Sequence, residues 1–240
     1  MNLPSLALFL SALIYTSCTT TKLLTSSVKP TDIKDLKKFE TLSKIGLIKK
    51  GNEAPHNNSL TIASKEVFSE ALNSFENDIP LTGNIYIDEL SVQKKMNREI
   101  EFLCMRADLR MSIINLELTP TLDSLLEVNQ QRFGLITYVT GFTRTKENYA
   151  DQMAKGVGQG ILTGGSFYSL PLKSQSTVYA MIIDSKNNNI AFFRKSFLNG
   201  KDPLNNTVLK KQVRDIFNKY FWKESLLSRS NIGILRSKIN

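Results

Sequence analysis

Two periods run through the pattern of apolar and polar positions along this chain. Ile45-Gly46-Leu47-Ile48 is a short apolar run flanked by lysines, and it predicts a buried strand. A loop with Gly51, Asn52, Pro55, Asn57 and Asn58 follows. Ser64 then stands as the cap of a helix in which Val67, Phe68, Ala71, Leu72 and Phe75 fall at helical spacing. Pro80 and Gly83 bound a second strand, Asn84 to Asp88, carried by Ile85, Tyr86 and Ile87. From Val92 to Leu118 the apolar positions Met96, Ile100, Leu103, Cys104, Ala107 and Met111 recur at helical spacing. Lys94, Lys95, Arg98, Glu99 and Glu101 cover the other side, so one helix is expected there. Thr119 as N-cap and Pro120 at the first helical position open another helix, holding Leu122, Leu125, Leu126 and Val128.

The second half is more regular. Phe133 to Thr143, built on Leu135-Ile136-Thr137-Tyr138-Val139-Thr140, predicts a central strand. Lys146 to about Val157 is amphipathic and helical, and a glycine-rich bend follows from Gly156 to Gly160, with Gly164-Gly165 beyond it. Thr177 to Asp184 and Ile190 to Phe197 are two apolar runs joined by Ser185-Lys186-Asn187-Asn188-Asn189, which predicts a hairpin. At its head, Asp184 is expected to stabilise the turn through its own side chain. A last helix, from about Asn206 to Trp222, has Val208, Leu209, Val213, Ile216, Phe217, Tyr220 and Phe221 on one face and Lys210, Lys211, Arg214 and Lys219 opposite. Alternating helices and strands with one hairpin define the class: α/β, a layered sandwich with a mixed β-sheet and helices packed on its faces, in a single domain over residues 41–223.

The amino-terminal region changes the picture from fold to address. Leu3 to Ile14 is almost wholly apolar, too short to span a bilayer but of the length of a signal-peptide core. It runs into Thr16-Ser17-Cys18, which resembles the lipobox of bacterial lipoproteins. The resemblance implies a signal peptide over residues 1–17, cleavage before Cys18 and an acyl lipid anchor on that cysteine. Residues 18–40, rich in Thr, Ser and Lys, are expected to form a flexible tether, and residues 224–240 a basic, loosely held tail. In Bacteroidetes-type lipoproteins, acidic residues after the lipidated cysteine resemble a surface-export signal. Thr19, Thr20, Thr21 and Lys22 occupy those positions, so the outer membrane facing the periplasm is the expected location.

With Cys18 lipidated, Cys104 is the sole remaining cysteine, and no internal disulfide is available. Cys104, between Leu103 and Met105, is expected as a small buried hydrophobe. The net charge of +9 lies wholly downstream of residue 17 and favours anionic surfaces such as phospholipid headgroups; an exported address argues against nucleic acid. The order of elements is similar to the TolB amino-terminal-type domain of curli-secretion and penicillin-binding-protein-activator lipoproteins. The opening strand Ile45 to Ile48, the strand ending Val139-Thr140-Gly141 and the hairpin with Ile182-Ile183-Asp184 carry that resemblance across residues 41–222. It implies a binding and assembly module without catalysis or cofactor.

Candidate chemistry is sparse. His56 is the only histidine, and Gly164-Gly165-Ser166-Phe167 lacks the G-x-S-x-G elbow of a hydrolase. Gly160 is followed by Ile161-Leu162 rather than the Gly-Lys-Ser/Thr of a phosphate loop. Two function classes remain. One is a non-enzymatic envelope lipoprotein that binds a protein partner or forms a homo-oligomer. The other is an envelope enzyme acting on cell-wall or lipid substrates through Asp88, Glu89 or Asp184. Phe221 and Trp222, with Lys210, Lys211 and Arg214, are candidate partner or membrane contacts, against the alternative that their helix simply covers the sheet.

Overall fold

The computed structural model describes residues 20–222 apart from 27 and 168, so the expected leader, Cys18 and the basic tail lie outside the described residues. The strands are β1 (Thr20–Thr25), β2 (Leu36–Lys38), β3 (Leu42–Ile48), β4 (Leu81–Asn84), β5 (Phe133–Arg144), β6 (Ser174–Asp184) and β7 (Asn189–Asn199). The helices are α1 (Asn58–Asn73), α2 (Leu90–Leu109), α3 (Pro120–Val128), α4 (Lys146–Leu162) and α5 (Asn206–Phe217).

All seven strands join one mixed sheet: six follow in the order β1-β7-β6-β5-β2-β4, and β3 pairs with β5. β1, β7, β6 and β5 pair antiparallel, whereas β2 runs parallel to both β5 and β4. β3 continues the course of β2 along β5: Lys38 lies opposite Leu135 and Leu42 opposite Tyr138. Phe39, Glu40 and Thr41 therefore face only Ile136 and Thr137, which is a β-bulge. Thr41 and Thr137 share a hydroxyl–hydroxyl hydrogen bond of 2.8 Å across it.

Each face of the sheet carries its own core. On one, Leu36, Ile45, Leu135 and Val139 pack with Phe68 and Leu72 of α1 and Leu209, Val213 and Phe217 of α5. On the other, Phe39, Leu42, Ile136 and Met181 pack with Met96, Ile100, Leu103 and Cys104 of α2 and Leu122 and Leu126 of α3. The architecture is thus the expected layered α/β sandwich with a mixed sheet, open rather than closed into a barrel. Gln212 fastens α5 from within: it is fully buried, accepts from Ser176 Oγ at 2.7 Å and donates to the carbonyls of Ser176 and Ser196.

Several expectations need correction. Residues 20–25 and 36–38, within the expected tether, are strands, and Ile33, Leu36 and Phe39 are buried in the cores. Threonine-rich β1 is an edge strand that borrows its ladder from β7, so it needs no apolar run of its own. The second strand is Leu81–Asn84, earlier than expected, and Ile85 is buried just beyond it. The long helix ends at Leu109; Ile113 and Leu116 are buried from a loop instead of from further turns. The last helix stops at Phe217 rather than Trp222.

The expected glycine-rich bend is helix. α4 runs through Gly156, Gly158 and Gly160 to Leu162, and the left-handed turn comes at Gly164 and Gly165, with φ of 58° and 85°. Only Asn148, Gly156 and Gly160 of α4 are buried. A Cβ on Gly156 would lie 2.2 Å from the carbonyl oxygen of Ser169, so the missing side chain is what lets the returning chain lie on the helix. Helix and return make an arm that leaves the sheet after β5 and rejoins it at β6. Arg144, buried at its base, donates to the carbonyls of Leu172 (3.1 Å) and Gly51 (2.8 Å) and to the side chains of Asn52 and Asn148.

Candidate functional site

Parallel strands in a layered sheet leave a crevice beyond their carboxyl ends. Here it opens where β2 and β4 stop, between α1 and α2, with a volume of about 480 Å³. The bulge residues Phe39, Glu40 and Thr41 form its floor; Lys65 and Ser69 of α1 line one wall, and Gln93 and Met96 of α2 the other. Asn84 and Tyr86 stand at the rim, joined by a hydrogen bond from Asn84 Nδ2 to Tyr86 Oη of 3.1 Å.

Glu40 is the central polar group. One carboxylate oxygen is bonded to Lys65 Nζ, and the other accepts from Gln93 Nε2 at 2.6 Å. Lys38 is engaged with Asn73 at 2.7 Å. With a partner on each oxygen, Glu40 is oriented as a hydrogen-bond anchor between α1 and α2. The cleft offers apolar side chains, two lysines, two carboxylates, two amides and a phenol, a set suited to holding a polar ligand or chain segment. Sequence reading missed it because Glu40 lies in a segment read as tether; the only available signal was the apolar pair Leu36 and Phe39 with two lysines between.

The residues singled out from sequence do not gather there. Asp88 and Glu89 are exposed in the segment before α2. Asp184 is fully buried level with the starts of β2 and β4, not their carboxyl ends: it lies in register with Phe133, Leu36 and Leu81, three strand spacings from β4, or about 14 Å. Its carboxylate accepts from Arg132 Nε and Nη2, both at 3.0 Å, from the Lys186 amide and from Asn187 Nδ2, which makes it the turn stabiliser that was expected. That bond to Asp184 also pushes the Arg132 guanidinium pKa up. His56 is exposed and touches Asn58 at 2.9 Å, beside a shallow hollow with Lys49, Lys50 and Glu53. Among the described residues, no three His, Cys, Asp or Glu side chains converge as metal ligands would.

Cys104 is buried on α2, and burial pushes its thiol far above the usual range. The carboxyl-terminal aromatics turn inward: Trp222 packs on Phe75 with ring centroids 5.2 Å apart and donates to the Asp78 carbonyl at 3.1 Å, while Phe221 packs on Tyr220 and Phe217. α5 buries its apolar face against the sheet, and Lys211 and Arg214 remain exposed, with Lys210 half-buried. No helix among the described residues is long and apolar enough to cross a membrane.

No protein-family model matches the sequence, and no curated protein matches it. Among solved structures the chain is similar to PelC from Paraburkholderia phytofirmans, a dodecamer, at 7% identity over 86% of this chain and 99% of that one, with a TM-score of 0.35. It is also similar to a DUF4136 family protein from Bacteroides thetaiotaomicron, at 10% identity over 84% of this chain and 94% of that one, with a TM-score of 0.30.

Proposed function

We propose that this protein is an envelope lipoprotein, held by Cys18 at the periplasmic side of the outer membrane, and that it works there as a non-enzymatic binding or assembly module. The observation that carries the proposal is the apolar run from Leu3 to Ile14 closing on Thr16-Ser17-Cys18. Its length and its small-residue exit are those of a processed export signal rather than of a membrane span. A basic body of net charge +9 suits a site of work beside anionic headgroups.

Binding rather than turnover is supported by the cleft, whose central carboxylate, Glu40, is engaged by Lys65 and Gln93. Assembly is supported by large apolar side chains left in solvent on the outer face of α2, Phe102, Met105 and Leu109. Such exposure in a soluble domain marks contact surfaces.

The test is metabolic labelling with a clickable fatty acid, comparing the wild-type chain with Cys18→Ala. Label on the wild type that vanishes in the variant is the expected result. A wild-type chain recovered without label overturns the anchor and the compartment together.

A further inference from the structure

We infer that the arm built from α4 and its return to β6 is a membrane contact, resting its uncharged tip in the interface of the same leaflet that holds the lipid. The inference rests on the lipoprotein reading for the identity of the anchor, and on the fold for the position of the arm.

Position comes first. Thr20 lies opposite Phe197 of β7, which lies opposite Thr177 of β6, three residues into that strand. The Gly200 amide, just past β7, donates to the Ser174 carbonyl at the start of β6 at 2.9 Å. The start of β1, the end of β7, the end of β5 and the start of β6 therefore share one end of the sheet, and the arm spans the last two. Thr20 is two residue steps beyond Cys18, and two steps reach at most about 7 Å. A lipid on Cys18 would be held at the end of the sheet from which the arm departs.

Chemistry follows. From Gly156 to Leu172 no side chain is charged, whereas Lys155 and Lys173 bound the stretch on either side. Ile161 is 76% exposed, Leu162 88% and Phe167 74%, with Leu170 and Leu172 also in solvent. Apolar tip and basic flanks are the arrangement of an interfacial element, with aliphatic and aromatic groups entering the headgroup region and lysines meeting anionic lipid. The outer face of α2 makes the contrast: Phe102, Met105 and Leu109 are exposed there too, but Glu101, Arg106 and Asp108 are interleaved with them. A lipid on a short tether leaves the domain free to swivel, and a second contact fixes its orientation.

The experiment places a photoreactive diazirine residue at Leu162 or Phe167 of the full-length chain, and at Leu109 or Val128 as exposed apolar controls. Each is illuminated in native membranes carrying the clickable fatty acid label. Lipid adducts at Leu162 and Phe167, with none at Leu109 and Val128, are expected. A labelled chain whose arm positions give no adduct, or give adducts to protein instead, overturns the arm as a lipid contact while the anchor stands. An unlabelled chain that still yields lipid adducts at the arm overturns the anchor alone, and one that yields neither overturns both.

Discussion

Glu99 does for α3 what Thr119 does not. Thr119 holds the extended backbone of an N-cap, yet its hydroxyl makes no cap bond. Glu99, reaching across from α2, accepts from the Thr121 and Leu122 amides at 3.1 and 3.3 Å and from Thr121 Oγ1 at 2.7 Å. The carboxylate thus satisfies two open amides and meets the positive end of the helix dipole. Glu99→Ala should lower stability by about 1–3 kcal/mol, with Glu99→Gln milder, read as a lowered urea midpoint at unchanged slope. Thr119-Pro120 marked where α3 begins, and that much was legible. The residue that caps it was not, because a cap borrowed from another helix leaves no local pattern. Cys104 was legible, since an apolar neighbourhood at helical spacing is visible in the chain itself. Buried with its thiol held protonated, it should react with a thiol reagent only after unfolding, and rapid modification of the native protein would contradict its place in the core.

At the scale of elements, what could be read depended on whether a segment is stabilised locally or by its neighbours. β5, β6 and β7 carry their own apolar pattern, and they appear where expected. β1 and β2 do not: one is a polar edge and the other only three residues long, and both exist because a neighbouring strand offers its hydrogen bonds. α4 was foreshortened because a glycine costs about 1 kcal/mol in a helix interior, so three of them read as a break. Packing reverses that reading, since the bare surface at Gly156 seats the returning Ser169 carbonyl. Gly156→Ala should therefore leave the helix intact and push the return away. Limited proteolysis is expected to cut faster between residues 163 and 172, while the main thermal transition stays in place; a matching loss of global stability would mean the arm is part of the core.

The whole molecule is held by two cores that share one sheet, and its response to alkali follows from what they bury. Tyr138, Tyr179 and Tyr220 are all pushed up to about 12 by burial. Tyr138 and Tyr179 stack across β5 and β6 at 5.7 Å, and Tyr220 packs on Phe192 at 4.4 Å. In the unfolded chain these phenols ionise near their ordinary value of 10, so above it the unfolded state loses protons that the folded state keeps. Stability is full below pH 10 and falls as the pH rises toward 12, with tyrosinate absorbance growing in step with loss of far-ultraviolet dichroism; absorbance complete before unfolding would show these rings to be wet. The layered class could be read from the order of elements alone, but the cleft could not, because it depends on the extra residue between β2 and β3. That extra residue also sets a phase. In β2 the even-numbered Leu36 faces the core of α1 and α5, while in β3 even-numbered Leu42 faces the core of α2 and α3, and odd-numbered Ile45 has taken the first side. Deleting any one residue from 39 to 41 would restore strict alternation with Leu42 and Ile45 on the sides they already occupy, so β3 should keep its register on β5 and its cores while the floor of the cleft is lost. The extra residue is thus a looped-out spacer whose service is to the cleft and not to the cores, and a chain one residue shorter would fold alike and lose the hollow.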